Sequence, residues 1–163
     1  MRGNPRQRPG VIHLSTDIHA SRQLCFDLSR SIDLHMDSMH RSRERAVAGV
    51  TSGLIGLDEE VTWEARHFGV RWLMTSRITE FDPPYRFVDE MVRGPFSAFR
   101  HEHLFEPISG GTRMKDVVDY RTRFGLLRPI ADRVAGAYLR KLLVVRNEEI
   151  RSQAVNAKRR GQD

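Results

Sequence analysis

Two histidines stand two residues apart in the segment from Ser97 to Phe105, at His101 and His103. Side chains alternate across a β-strand, so both histidines point to one face, together with the aromatic residues, while Arg100 and Glu102 point to the other. The aromatic face is the one expected to be buried. Histidine exchanges protons near neutral pH, so a pair of this kind beside a pocket could act on a bound molecule.

Two aspartates are expected to accompany them, because Asp89 and Asp116 fall on the inward faces of the neighbouring strands. Folding the chain about the turns on either side predicts that His101 lies opposite Asp89 and that His103 lies opposite Asp116. Directly opposed residues have Cβ atoms about 5 Å apart. The pattern therefore predicts two buried His–Asp pairs on adjacent strands.

Three interpretations of this cluster remain open. The buried polar groups could simply satisfy one another, since an unpaired group costs about 1–3 kcal/mol. They could form a polar floor that orients a ligand's hydroxyl or carbonyl group. They could also be catalytic, with His101 and His103 as acid–base groups and Asp89 and Asp116 orienting them. Zinc sites need three or four ligands, so two histidines on one face predict neither a metal nor another cofactor.

The surrounding elements follow from periodicity and turn residues. Val11–Ile18 alternates as a half-buried strand, and two short helices follow, over 21–28 and over 32–39 with Ser31 as its N-cap. Six further strands are predicted between residues 43 and 124, separated by glycine and proline turns that favour antiparallel hairpins. From Pro129 an apolar stripe at three- and four-residue spacing predicts a long helix of about six turns. Arg146 is expected off this stripe.

This order predicts an α+β fold in which one antiparallel sheet of about seven strands faces one long C-terminal helix. Both inner surfaces can be buried only if the sheet curves around the helix. A curved sheet and a rod leave space between them, and such spaces hold small molecules.

The inward-facing positions are predicted to form the wall of a ligand cavity. They are Trp63, Trp72, Met74, Ile78, Phe87, Met91, Phe99, Phe105, Met114, Val118, Tyr120, Val134 and Tyr138. The alternative for each is an ordinary core residue. The stretch 50–57 carries Leu54 and Ile55 between two glycines, which is typical either of an apolar lid or of a plain surface loop.

Length predicts one domain, over residues 9–155, with disordered tails at 1–8 and 156–163. The net charge of +6 is spread along the chain without a nucleic-acid-binding motif, so we expect no specific nucleic-acid partner. No apolar run reaches the roughly 20 residues of a membrane span. The single cysteine, Cys25, excludes a disulfide framework, and the N-terminus lacks a signal-peptide core, so a cytoplasmic location is expected.

Particular stretches resemble a known superfamily. Phe87-Val88-Asp89-Glu90-Met91 runs into Gly94-Pro95-Phe96, and then come Phe99, His101, His103 and Phe105, followed by Gly111, Thr112, Asp116 and Tyr120. Over about Val11–Arg151 the chain resembles small bacterial members of the START and Bet v 1-like (SRPBCC) superfamily, which includes polyketide cyclase/dehydrase-like and lipid-transport groups. The resemblance implies the helix-grip fold. It also implies either binding of a hydrophobic small molecule, lipid-like or polyketide-like, or a cyclase, aromatase or dehydratase activity. A third possibility is an interaction protein that uses its basic surface.

Overall fold

The structure is a computed structural model, and it describes residues 10–39, 43–67 and 69–161. This part of the chain begins with β1 (Val11–Ile18), α1 (Arg22–Ser29) and α2 (Ile32–Ser38). Six strands follow: β2 (Arg45–Gly49), β3 (Glu60–His67), β4 (Val70–Asp82), β5 (Arg86–Arg93), β6 (Ala98–Ile108) and β7 (Gly111–Arg121). A single 3-10 turn (Gly125–Leu127) leads into the last element, α3 (Arg128–Arg159).

The seven strands form one antiparallel sheet in the order β1-β7-β6-β5-β4-β3-β2. Consecutive strands from β2 to β7 are neighbours, as expected for hairpins, and β1 pairs with β7. The register shifts once between β2 and β3 and twice between β4 and β5. Such bulges bend a strand and increase its twist, which helps the sheet to curve. The predicted α+β, helix-grip architecture is confirmed.

The two short helices close one end of the curved sheet. Ser21 and Ser31 cap them, since each hydroxyl accepts a hydrogen bond from the backbone N–H three residues further on. Phe26 of α1 is fully buried, and its ring lies 5.4–5.5 Å from the rings of Phe81, Phe87 and Phe105. This aromatic cluster fills the sheet's concave side beneath α1, and a cavity lies farther along the sheet.

Helix α3 is longer than predicted. It spans 32 residues and ends at Arg159, whereas we expected a disordered tail from residue 156. The buried face continues through Ile150 and Ala154, four residues apart, so the helix still has a packing surface in its last turns. Residues 1–9 and 162–163 lie outside the described residues, as does the predicted N-terminal tail. None of the described helices is long and apolar enough to cross a membrane.

The buried face of α3 also differs from the predicted stripe. Ile130 and Val134 are 67% and 60% exposed, whereas Asp132, Arg146 and Asn147 are buried. Arg146 was expected in solvent, and that prediction is wrong. The polar residues are buried because they hydrogen-bond to groups of the sheet and of α1, while the apolar residues of the first turns face an open cavity rather than a filled core.

Candidate functional site

A cavity of about 720 Å³ lies between α3 and the concave face of the sheet. Small-molecule pockets typically measure about 300–1,000 Å³. Strands β3 to β7 supply its floor and one wall, α3 supplies the opposite wall, and α2 closes one side. The walls are mostly aromatic and aliphatic. A molecule held here would be surrounded by apolar surface except where a few polar groups reach the interior.

Most of the predicted wall residues do line this cavity: Trp63, Trp72, Met74, Ile78, Phe87, Phe99, Val118, Val134 and Tyr138. The seven that lie on strands face the cavity because side chains alternate between the two faces of a strand, and Val134 and Tyr138 face it from α3. Val134 lies at the mouth, on the first turns of α3. The structure adds Phe96, Leu127 and Leu143 to the wall, none of which was predicted to line it, and Ile55, which the sequence placed on the possible lid over 50–57.

Four predicted wall residues lie elsewhere. Phe105 and Met114 belong to the core beneath α1, where the Ser29 hydroxyl donates a hydrogen bond to the Met114 sulfur at 3.2 Å. Met91 does not line the cavity, and its sulfur lies beside Gly94. These positions have the correct inward orientation, but α1 and the local packing cover the sheet there, and strand alternation carries no information about what covers it.

Tyr120 is the fourth, and it anchors α3 to the sheet. Its hydroxyl donates a 2.7 Å hydrogen bond to the backbone carbonyl of Asp132, and the Asp132 carboxylate accepts from the backbone N–H and the hydroxyl of Thr122. The phenol rests against Gly136, where an added Cβ would lie 2.1 Å from the Tyr120 oxygen. The missing side chain at Gly136 lets the helix approach the ring closely.

The register of the site follows the sequence-based prediction. Asp89 on β5 is opposite His101 on β6, and His103 is opposite Asp116 on β7. Arg100 and Glu102 face the convex side, where Glu102 pairs with Arg86. The two histidines are buried, as is Asp116, and Asp89 is partly exposed to the cavity.

The side-chain contacts, however, cross between the pairs. His101 Nε2 lies 2.8 Å from Asp116 Oδ1, and His103 Nε2 lies 2.9 Å from Asp89 Oδ2. The other two nitrogens complete a ring of contacts, with His101 Nδ1 3.7 Å from Asp89 Oδ2 and His103 Nδ1 3.3 Å from Asp116 Oδ1. Each carboxylate therefore faces both histidines. We call these four residues the His–Asp cluster.

Stacking fixes the two imidazole rings. The ring centroids of His101 and His103 are 3.8 Å apart, and the ring of Phe87 stacks on His103 at 4.0 Å. Phe87 and both histidines line the cavity, whereas Asp116 lies behind the histidines, away from it. A ligand on the cavity floor would thus meet imidazole edges and one Asp89 oxygen.

Burial and close contacts shift the ionisation of the cluster. Burial lowers the pKa of His101, and the neighbouring His103 lowers it further, against the opposing effect of Asp116. Burial alone would raise the pKa of Asp116, but its close contacts with His101 and His103 outweigh burial and hold this pKa well below its usual value. The pKa of Asp89 is lowered in the same way by His103. Both carboxylates are therefore ionised at neutral pH.

Two polar residues of α3 complete the surroundings of Asp116. Asn147 donates a 2.7 Å hydrogen bond to Asp116 Oδ2, and the Arg146 guanidinium lies 3.6 Å from Oδ1 while donating to the Ser29 carbonyl. Sequence reasoning missed both. Helical periodicity could have indicated them. Leu143 and Ile150 are seven residues apart on one face of the helix, and residues 146 and 147 lie between them on that face.

A second polar spot lies on the α2 side of the cavity. His35 Nε2 is 3.2 Å from Glu44 Oε1, and the His35 ring lies 4.2 Å from the ring of Trp63. Both members of this pair line the cavity, as does Tyr138, whose pKa is raised by burial and by the charge of Glu44. In the sequence, His35 lies on the apolar face of α2, and this indicates that its side chain points into the interior.

The loop 50–57 is held in place by several hydrogen bonds. Ile55 is buried against the cavity, its N–H donates to the Arg30 carbonyl, and the N–H of Gly53 donates to the Asp33 carboxylate at 2.8 Å. Leu54 bridges to Ser31 in a β-type contact. Of the two interpretations of this loop, the contacts favour a fixed wall segment. The mouth of the cavity is lined by other apolar residues, which are exposed to solvent: Phe124, Leu127, Ile130 and Val134.

Solved structures of several proteins share this fold. Protein TTHA0849 from Thermus thermophilus is 18% identical with a TM-score of 0.69, over 88% of this chain and 99% of that one. The Zhui aromatase/cyclase from Streptomyces sp. R1128 is 15% identical with a TM-score of 0.71, over 90% and 94%. The major latex-like protein 151 of Panax ginseng is 13% identical with a TM-score of 0.65, over 89% and 97%.

No curated protein sequence matches the chain. The model of one protein family, described as polyketide cyclase/dehydrase and lipid transport, matches residues 34–143. This span contains the whole His–Asp cluster and most of the sheet that lines the cavity. It also covers well over half of the chain. The chain therefore belongs to the polyketide cyclase/dehydrase and lipid transport family.

Proposed function

We propose that this protein binds a hydrophobic small molecule, lipid-like or polyketide-like, in the cavity beneath α3. The observation that carries the proposal is the cavity itself: about 720 Å³ of space with apolar walls, open at the first turns of α3. Transfer of an apolar molecule from water into a space with apolar walls is favourable, because apolar surface is removed from water on both sides. The family to which the chain belongs, and the aromatase/cyclase with the same fold, support the same class of ligand.

The polar groups would orient the ligand. His101, His103 and Asp89 reach the floor, and the His35–Glu44 pair lies on the α2 side. A ligand carbonyl or hydroxyl at the floor would hydrogen-bond to an imidazole, while the rest of the molecule contacts aromatic side chains. Polar groups in an otherwise apolar pocket fix orientation and specificity, because leaving them unpaired is unfavourable. We place this function in the cytoplasm, as expected from the sequence.

Binding of a neutral apolar fluorophore, N-phenyl-1-naphthylamine, tests the proposal. Val134→Trp puts a large ring at the mouth from a position that is 60% exposed, so the fold should tolerate it. Val144→Trp is the matched control, because Val144 is 40% exposed on the same helix and does not line the cavity. We expect saturable binding to the wild type, at least tenfold weaker binding to Val134→Trp, and no change in Val144→Trp.

The proposal fails if the wild-type protein shows no saturable binding, or if both tryptophan variants bind the fluorophore equally well. Native mass spectrometry of freshly purified protein gives an independent result, since a retained ligand would appear as a discrete mass increment that denaturation removes. That molecule, once identified, defines the ligand class.

A second candidate is a cyclase, aromatase or dehydratase activity with His101 and His103 as the catalytic groups. The specific observation in its favour is that both imidazoles line the cavity while Asp89 and Asp116 contact their nitrogens and hold their orientation. Incubation with poly-β-ketone thioester mimics tests it, with loss of water followed by mass spectrometry. If His101→Gln and His103→Gln bind the fluorophore normally and convert the mimics as fast as the wild type does, neither histidine is catalytic.

A further inference from the structure

We propose that Asp89, His101 and His103 form a binding site for a divalent transition-metal ion, with zinc the expected ion, at the floor of the cavity. The ion would sit between the Asp89 carboxylate and the two histidine nitrogens that face it. Binding of the metal stands on the geometry of these side chains alone. Its role toward a ligand rests on the proposed function of the cavity.

The spacing of the donor atoms suits such an ion. His103 Nε2 and His101 Nδ1 lie 2.9 Å and 3.7 Å from Asp89 Oδ2, and donor atoms of the three residues lie within 4.8 Å of one another. Bonds of about 2.0–2.2 Å in a tetrahedral zinc site place neighbouring ligand atoms roughly 3.3–3.5 Å apart. The observed distances bracket this value, so small side-chain rotations would complete the site.

The sheet presents these donors without adjustment of the backbone. His101 and His103 are two residues apart on β6, which puts both on the concave face, and Asp89 is directly opposite His101 on β5. From the sequence, only the two histidines were expected as ligands, which is too few for a zinc site. The structure supplies the third ligand, because the crossed contacts turn Asp89 toward both imidazoles.

The contacts within the His–Asp cluster are unequal. Two are short, at 2.8 Å from His101 Nε2 to Asp116 and 2.9 Å from His103 Nε2 to Asp89. The other two are longer, at 3.3 Å from His103 Nδ1 to Asp116 and 3.7 Å from His101 Nδ1 to Asp89. His103 Nδ1 is buried without a hydrogen bond.

The cluster has two sides. His101 Nε2 and His103 Nδ1 lie toward Asp116, whereas His101 Nδ1 and His103 Nε2 lie toward Asp89, so the ion would occupy the space between these two nitrogens and the Asp89 carboxylate. Asp89 and Asp116 bring two carboxylates to the site, and the Arg146 guanidinium lies 3.6 Å from Asp116, so Asp89 is the carboxylate available to a cation on the cavity side.

Asp116 has the position of an outer partner of the site. Metal-binding histidines usually donate their second N–H to a carboxylate, which fixes the ring and raises the basicity of the ligand nitrogen. Asp116 Oδ1 lies 2.8 Å from His101 Nε2 and 3.3 Å from His103 Nδ1, and Asn147 donates a 2.7 Å hydrogen bond to its other oxygen. It does not line the cavity, whereas the three proposed ligands do. The fourth coordination position would therefore open into the cavity.

An open position gives the ion a function. A zinc ion with three protein ligands accepts an oxygen of the bound molecule or a water in the fourth position. A ligand carbonyl placed there would be polarised by the metal, which favours enolisation or attack at the carbonyl carbon. The chemical class of ligand is therefore a hydrophobic molecule that carries a ketone or hydroxyl group.

Zinc titration of the full chain, purified without a histidine tag and stripped with a chelator, tests the site. By isothermal titration calorimetry we expect one equivalent of Zn²⁺ to bind with a dissociation constant of about 1 μM or lower. Co²⁺ should give visible absorption bands typical of a four- or five-coordinate ion. Asp89→Asn and His103→Gln should each weaken binding at least about 100-fold, and Asp116→Asn about 10- to 100-fold.

His13→Gln is the control, because His13 is exposed and lies on the outer face of β1, and it should bind zinc like the wild type. N-phenyl-1-naphthylamine binding to the same samples shows that the cavity of each variant is intact. The proposal is overturned if the wild-type protein takes up no stoichiometric zinc at 100 μM metal, or if both ligand variants retain wild-type affinity. A wild-type protein that binds zinc but no fluorophore would support the metal site and refute the proposed cavity function.

Discussion

The contact between Tyr120 and Gly136 allows a quantitative test of how α3 is attached to the sheet. An alanine Cβ at position 136 would lie 2.1 Å from the tyrosine oxygen and 3.2 Å from Cζ. Ordinary contact begins near about 3.5 Å, so roughly 1.4 Å of overlap with the oxygen must be absorbed. Removal of the hydroxyl would leave only the much milder contact with Cζ.

These distances predict the energies of a double-mutant cycle. Gly136→Ala should lower the free energy of unfolding by about 1–2 kcal/mol, because overpacking of about 1–3 kcal/mol exceeds the gain of up to about 1 kcal/mol in helix propensity. Tyr120→Phe should lower it by about 1 kcal/mol through loss of the hydrogen bond to the Asp132 carbonyl. The double variant should lie within about 1 kcal/mol of the wild type, so the two substitutions compensate each other.

Equilibrium urea denaturation followed by far-ultraviolet circular dichroism measures all four proteins. Ala137→Gly, at the exposed neighbouring position, gives the helix-propensity contribution alone, at about 1 kcal/mol. If the losses from the two single variants add to within about 0.5 kcal/mol in the double variant, Tyr120 and Gly136 do not touch, and the anchoring of α3 described above is wrong. Fluorophore binding should survive in the double variant, because Tyr120 lies outside the cavity.

Three further outcomes are expected. Asn147→Leu should lower the free energy of unfolding by about 1.5–3 kcal/mol, because the buried Asp116 carboxylate loses a hydrogen-bond donor. The control Asn156→Leu, at an exposed position, should have little effect. Equal losses in the two variants would contradict the role of Asn147 as a partner of Asp116. Asp33→Ala should speed amide hydrogen exchange at Gly53 about fivefold, since a bond of about 1 kcal/mol is lost, and unchanged exchange would show that the loop is held by other contacts. The single cysteine is fully buried and should react with Ellman's reagent only as urea unfolds the protein; rapid reaction in native buffer would refute its burial.

Strand alternation and the turns were sufficient to predict the hairpins and the register around the His–Asp cluster, but not the pairing of β1 with β7. Hydrophobic and charged residues alternate with period two in β6 and β7, and glycine turns limit how the strands can pair. A slip of one residue would bury Arg100 and Glu102, so only one register keeps the charges in solvent. The opposition of Asp89 to His101 and of His103 to Asp116 followed from this constraint.

The apolar pattern of α3 was a weaker guide to which of its residues are buried, because several elements pack against different sides of the helix. The apolar stripe from Ile130 correctly indicated the side that faces the cavity, but not that Arg146 and Asn147 would be buried. Burial of an arginine is acceptable only where partners such as Asp116 and the Ser29 carbonyl are present, and these belong to distant parts of the chain.

The sequence by itself determined which residues face inward: alternation along each strand, together with the turns between them, specified the antiparallel sheet and brought two histidines and two aspartates to its concave face. Only the tertiary structure decided which nitrogen meets which oxygen, where α1 fills the interior with Phe26, and where the interior stays open. The physical reason is the number of chain segments on which each feature depends. Backbone pairing depends on neighbouring strands, whereas side-chain rotation, stacking on Phe87 and the space beneath α3 depend on all the surfaces that enclose them.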